Sequence, residues 1–175
     1  SECVLTQNAA TLGGAICAVN SSTLTIDNAS LVTANVATRG GAVFASYDSY
    51  VQIRGGSNVS RNEASRGGAV ALPSGARLSL GPAHLTLNRA TECGGGAYVH
   101  GGRSELAFAD GAMITDNVAQ SSGGGIALAG GASAVLDSRL TLRENTAALG
   151  GGLHLNGSSA RLENATIKSC SAQRG

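Results

Sequence analysis

An asparagine returns through this chain at a nearly fixed interval, and no other feature limits the fold so strongly. It stands at Asn8, Asn35, Asn62, Asn88, Asn117 and Asn145, with gaps of 27, 27, 26, 29 and 28 residues; Cys170 takes the next place, 25 residues on. Three residues before each comes an aliphatic side chain: Leu5, Val32, Val59, Leu85, Ile114, Leu142 or Ile167. Two after each comes an alanine: Ala10, Ala37, Ala64, Ala90, Ala119, Ala147 or Ala172. Glycine pairs or triplets follow, beginning at Gly13, Gly40, Gly67, Gly94, Gly123 and Gly150. Self-similarity of this kind marks a repeat array in which each copy buries its apolar face only by stacking on its neighbours.

Each copy alternates in period two after its glycines, the signature of a strand. The inward pairs are Ile16/Ala18, Val43/Ala45, Val70/Leu72, Ala97/Val99, Ile126/Leu128 and Leu153/Leu155. A second strand carries Leu24/Ile26, Val51/Ile53, Leu78/Leu80, Leu106/Phe108, Ala134/Leu136 and Ala160/Leu162, and a third ends on the aliphatic residue before the Asn. Three strands per copy, each paired in parallel with its equivalent one coil away at ~4.8 Å, make an all-β solenoid. The expected fold is a right-handed parallel β-helix of about six coils, since parallel crossovers take that hand in nearly all cases. The Asn column is expected to form an amide ladder along the axis, with Asn also suited to a left-handed turn. The paired glycines fit a sharp corner. Residues 1–175 read as one β-helix segment; because the chain starts and stops in mid-repeat, a piece of a longer array is expected.

Composition narrows the partners. A net charge of +1 with 13 % charged residues is too neutral for a nucleic-acid surface, which needs a clustered basic face. No apolar run approaches the ~18 residues of a membrane helix.

The pattern aliphatic-x-x-Asn-x-Ala-x-x-Gly-Gly-(Ala/Gly)-aliphatic resembles the repeats of the chlamydial polymorphic outer membrane proteins. The matching stretches are Leu5–Asn8 with Gly13–Ile16, Val32–Asn35 with Gly40–Val43, and Val59–Asn62 with Gly67–Val70. Later copies carry Gly125 and Gly152 where those have Ala, and Leu, Val or Ile replaces that family's Phe throughout. The resemblance implies an adhesive or structural surface protein without catalysis.

The chain has eleven asparagines. None of the six ladder residues begins an Asn-x-Ser/Thr glycosylation tripeptide, whereas the other five, Asn20, Asn28, Asn58, Asn156 and Asn164, all do. About one of five is expected by chance in a chain this rich in Ser and Thr. Ser- and Asn-rich turns also generate such tripeptides without any sugar being attached. The preferred reading is an extracellular glycoprotein with sugars carried at turns.

Other constellations are weaker. Cys17, Cys93 and Cys170 are spaced about three coils apart, too far for disulfides. Cys3 shares a coil with Cys17 but is expected to point inward while Cys17 points outward. Among the eleven acids only Asp116 and Glu144 share a column, read as an exposed pair on a solvated strand. His84, His100 and His154 fall in different columns, so neither a metal nor any other cofactor is expected. A hydroxyl row (Thr6, Thr33, Ser60, Thr86, Thr115) faces outward like an ice-binding row, but Arg143 and Lys168 interrupt it. A further outward column, Cys17, Phe44, Ala71, Tyr98, Ala127 and His154, offers Phe44 and Tyr98 as a candidate contact surface.

The sequence thus points to a non-catalytic structural or adhesive module of a cell-surface glycoprotein or filament. Its partners would be other protein chains, flanking repeats or glycans. The alternative is a carbohydrate-active enzyme or glycan-binding β-helix whose active residues lie outside this segment.

Overall fold

The computed structural model describes residues 2–137 and 139–174. Among them the chain winds as stacked coils whose strands pair only in parallel, each with its equivalent in the coils before and after. Asn35 bonds to both Asn8 and Asn62, so like residues lie over like. No helix among the described residues is long and apolar enough to cross a membrane.

Each full coil among the described residues carries four strands, not three. In the second coil they are Leu31–Thr33, Val36–Arg39, Val43–Ala45 and Tyr50–Ile53. Their equivalents build two seven-stranded and two six-stranded sheets, here termed first to fourth in chain order from Val4–Thr6. The strand that sequence reasoning missed spans the Asn-to-Gly interval. Its inward face holds one small residue per coil, which gives almost no apolar periodicity to read. The repeated alanine is that residue: Ala90, Ala119 and Ala147 form a buried column separate from the main aliphatic core.

The main core runs the length of the coil. Val43, Val70, Ala97 and Ile126 stack in register on the third sheet, and Val51, Leu78, Leu106 and Ala134 on the fourth. Val32, Val59, Leu85, Ile114 and Leu142 complete it from the first sheet. Every residue in these ladders is fully or almost fully buried. Burial at roughly 25 cal/mol per Å² of apolar surface therefore accrues once per coil and only if neighbouring coils are present.

The Asn ladder binds the coils directly. Each Nδ2 donates to the next Oδ1 at 2.9–3.0 Å from Asn8 through Asn145. The backbone N–H of each donates to the same oxygen. The second Nδ2 hydrogen goes to the aliphatic residue one coil back, from Asn35 to Leu5 O through Asn145 to Ile114 O. The left-handed backbone falls not on the Asn but on the residue before it: Gln7, Ala34, Arg61, Leu87, Asp116, Glu144 and Ser169 have φ between 53° and 58°. Placing the turn there leaves the Asn amide free to point along the axis.

The two glycines of the corner have different duties. The first takes positive φ, as at Gly40 with +64°. The second permits close approach: a Cβ on Gly41 would stand 2.2 Å from Gly68 O. Where a third glycine replaces Ala it faces a large neighbour, since a Cβ on Gly125 would come within 2.8 Å of Leu142 Cδ2.

Candidate functional site

The glycine corner turns the chain so that the end of the second-sheet strand faces the outer side of the third-sheet strand. Outward side chains from both strands converge in a re-entrant groove running along the axis. Its centre is Tyr98. The Arg66 guanidinium carbon lies 5.9 Å from the Tyr98 ring centroid, a cation–π contact, and His100 stacks beside the ring at 6.1 Å and 23°. Arg66 Nε donates to Glu92 Oε2 at 2.6 Å, so one guanidinium is shared between a carboxylate and a ring. That hydrogen bond pushes Arg66 above its ordinary basicity. Burial pushes the Tyr98 phenol up, with Arg66 pulling the other way.

Two depressions flank Tyr98. One, of about 260 Å³, lies over Ala71 and is lined by Arg39, Arg66, Pro73 and His100. The other, of about 170 Å³, lies over Ala127 and is lined by Cys93, Ser122, His154 and Asn156. Sequence reasoning placed Tyr98 correctly on an outward column but missed the groove. The opposing column of Arg39, Arg66 and Cys93 belongs to the strand that the sequence did not reveal.

Phe44 is not part of an exposed surface. It is only 5 % exposed, although it lies outside the main aliphatic core. Its column forms the floor of a groove rather than an open face, which is why Ala71 and Ala127 on the same column are also 1 % and 2 % exposed. Of the two aromatics proposed as a contact surface, Tyr98 alone remains accessible, and it is half-buried.

The hydroxyl row is in register but does not face freely outward. Thr33 and Ser60 lie 3.3 Å apart, as do Thr115 and Thr86, and Ser60 and Thr115 are buried. Thr33 and Thr86 are partly buried, and Thr6 in the first described coil is exposed. Asp116 and Glu144 sit in the left-handed turn, not on a strand, and Glu144 pairs with Arg143 at 3.8 Å. The four cysteines are free thiols. Cys3 is exposed in the first described coil, while its column-mates Ser30, Ser57 and Ala83 are buried between coils. Cys93 Sγ accepts from Ser122 Oγ at 3.2 Å, and Cys170 Sγ stands 3.8 Å from Asn145 Nδ2 at the ladder's seventh place. Among the described residues no three His, Cys, Asp or Glu side chains gather closely enough to hold a metal ion.

The five glycosylation candidates divide. Asn20, Asn28 and Asn164 are exposed with φ of 57°, 58° and 52°, and Asn156 is exposed at the end of Leu153–Asn156. The Asn28 turn is fastened by Asp27, whose Oδ1 accepts from the Asn28 N–H and whose Oδ2 accepts from Arg54 Nε, both at 2.7 Å. These two contacts, the backbone one foremost, hold the Asp27 carboxyl below its ordinary range. Asn58, just after the turn at Gly55 and Gly56, differs from these four in its surroundings. It lies within Asn58–Ser60, in register with Leu31 and His84, and its Oδ1 is buried without a hydrogen-bond partner among the described residues.

No family model matches the chain, and no curated protein or solved structure matches it either.

Proposed function

We propose that this chain is a non-catalytic structural or adhesive β-helix module of a cell-surface glycoprotein or filament, contacting other protein chains or flanking repeats. The carrying observation is the partition of its asparagines. Six are consumed by the ladder or begin it, and none of those heads an acceptor tripeptide. Four of the remaining five are exposed, three of them in left-handed turns where a sugar clears the coil. The resemblance of the repeat to the chlamydial polymorphic outer membrane proteins supports the surface setting. A coil stiffened at every turn by amide ladders and aliphatic columns suits a spacer that holds a contact surface away from its anchor.

The test is mass spectrometry of the protein from its natural source after peptide-N-glycosidase treatment in isotopically labelled water. The expected result is sugar at Asn20, Asn28, Asn156 or Asn164 and none at Asn58. Five unmodified asparagines would end the glycoprotein reading. A glycan-binding role is the second reading, and the half-buried ring of Tyr98 with Arg39 and Arg66 beside it favours it.

A further inference from the structure

The outward column on the groove floor alternates in size along the axis: Phe44, Ala71, Tyr98, Ala127, His154. Consecutive members are one strand spacing apart; with Phe44 covered, the two accessible large residues, Tyr98 and His154, stand two coils apart, at about 9.6 Å. The small residues between them leave the two depressions on either side of Tyr98. An extended oligosaccharide has the matching period, because alternate sugar rings present the same face at intervals of one disaccharide. A sugar's apolar C–H face stacks on an aromatic ring, which is both flat and amphipathic in Tyr.

Charge narrows the class. Arg39 stands in register with Arg66 on the groove wall and, among the described residues, has no ion-pair partner. Arg66 is shared with Glu92, so the two guanidiniums and one carboxylate leave a net positive wall beside Tyr98. A planar guanidinium with free donors is suited to a carboxylate or sulfate group. An added peptide strand fits less well: the strands lining the groove are bonded coil to coil on both sides, leaving no free edge along it for strand addition.

We propose that this groove binds an acidic oligosaccharide, of uronate or sulfated sugar residues, laid along the coil axis with Tyr98 as stacking platform and Arg39 as anion contact. The inference rests on the adhesive reading, to which it supplies a ligand class.

The experiment is titration calorimetry of the whole chain with a short oligogalacturonate, a heparin-derived oligosaccharide of similar length, and a neutral cello-oligosaccharide. One of the two acidic probes should bind, more weakly as salt rises, and the neutral probe should bind at least about tenfold more weakly. Tyr98→Ala and Arg39→Gln should each weaken binding about tenfold. Tyr98→Phe should retain the affinity, as should Arg77→Gln, which alters an exposed charge on the fourth sheet. Nuclear magnetic resonance shifts on the unmodified chain give a second readout that needs no variant; they should centre on Ala71, Tyr98 and His100. No acidic binding, equal neutral binding, indifference to both substitutions, or shifts on another face would each overturn the proposal. Bare sequons on the native protein together with Tyr98-dependent binding would remove the glycoprotein reading alone. Sugars on those sequons without acidic binding would remove the groove alone.

Discussion

Replacing Asn62 by alanine tests the ladder where it is fully enclosed. Asn62 has no exposed surface. Its Oδ1 accepts from the Asn35 N–H at 3.0 Å and from Asn35 Nδ2 at 2.9 Å. Its Nδ2 donates to Val32 O and Asn88 Oδ1, both at 3.0 Å. Asn62→Ala removes all four bonds and strands two buried donors on Asn35, its backbone N–H and one amide hydrogen. A buried donor left unsatisfied costs about 1–3 kcal/mol and a forfeited hydrogen bond about 0.5–1.5 kcal/mol, so the loss from two of each is about 3–9 kcal/mol. Asn8 supplies the contrast. It is exposed, and its side chain only donates, at 2.9 Å to Asn35 Oδ1, an oxygen that still holds the Asn8 backbone N–H after substitution. Asn8→Ala should therefore cost about 0.5–1 kcal/mol. Urea unfolding of the two variants against the parent measures the difference, with the slope checked for constancy. Against a typical stability of about 5–15 kcal/mol the Asn62 loss is large, and hydrogen exchange should place it in the coils bearing Asn35 and Asn62. Equal costs at the two positions, or a loss below about 1 kcal/mol at Asn62, would refute the account of the ladder.

Two further substitutions probe the corner and the ladder's end. Gly41→Ala should prevent normal stacking of the second and third coils, because its Cβ would fall 2.2 Å from Gly68 O, whereas Gly56→Ala meets nothing within 4 Å and should cost only about 1 kcal/mol for its positive φ; circular dichroism melts of both variants separate the two mechanisms. Cys170→Asn should stabilise by about 0.5–1 kcal/mol by giving Asn145 a proper amide acceptor in place of a sulfur at 3.8 Å, read as a raised urea midpoint.

What could be read from the sequence was whatever recurs identically in each coil and faces inward. Asn35, Val43 and Val51 have equivalents of the same kind one coil on, because the interior accepts only residues that stack on their own kind. The second-sheet strand escaped although its inward alanine recurs. A single small residue such as Ala64 or Ala90, flanked by outward residues that are free to vary (Val36, Glu63, Arg89, Val118), makes no apolar alternation that would mark a strand. The left-handed turn was assigned one residue late because Asn is the residue expected there by intrinsic tolerance. The ladder instead claims the Asn, and Ala34, Arg61 or Leu87 accepts the unfavourable φ.

The groove was hidden by the same missing strand, and this bears on how recognition is written in such a coil. Parallel pairing fixes the rise per coil, so an outward column is a ruler whose marks are one strand spacing apart. Specificity then depends on which coils carry a large residue and which an alanine. Phe44 shows that aromatic identity alone is not enough, since its ring is covered although it lies on the same column as Tyr98. Tyr98 differs in having Ala71 and Ala127 on its two sides, which open a depression on each side of a ring held in place by Arg66 and His100. Filling either depression, for example with Ala71→Leu, should abolish acidic-glycan binding while leaving the inward columns and the Asn ladder untouched, a separation of affinity from stability that unfolding and calorimetry on one variant can measure.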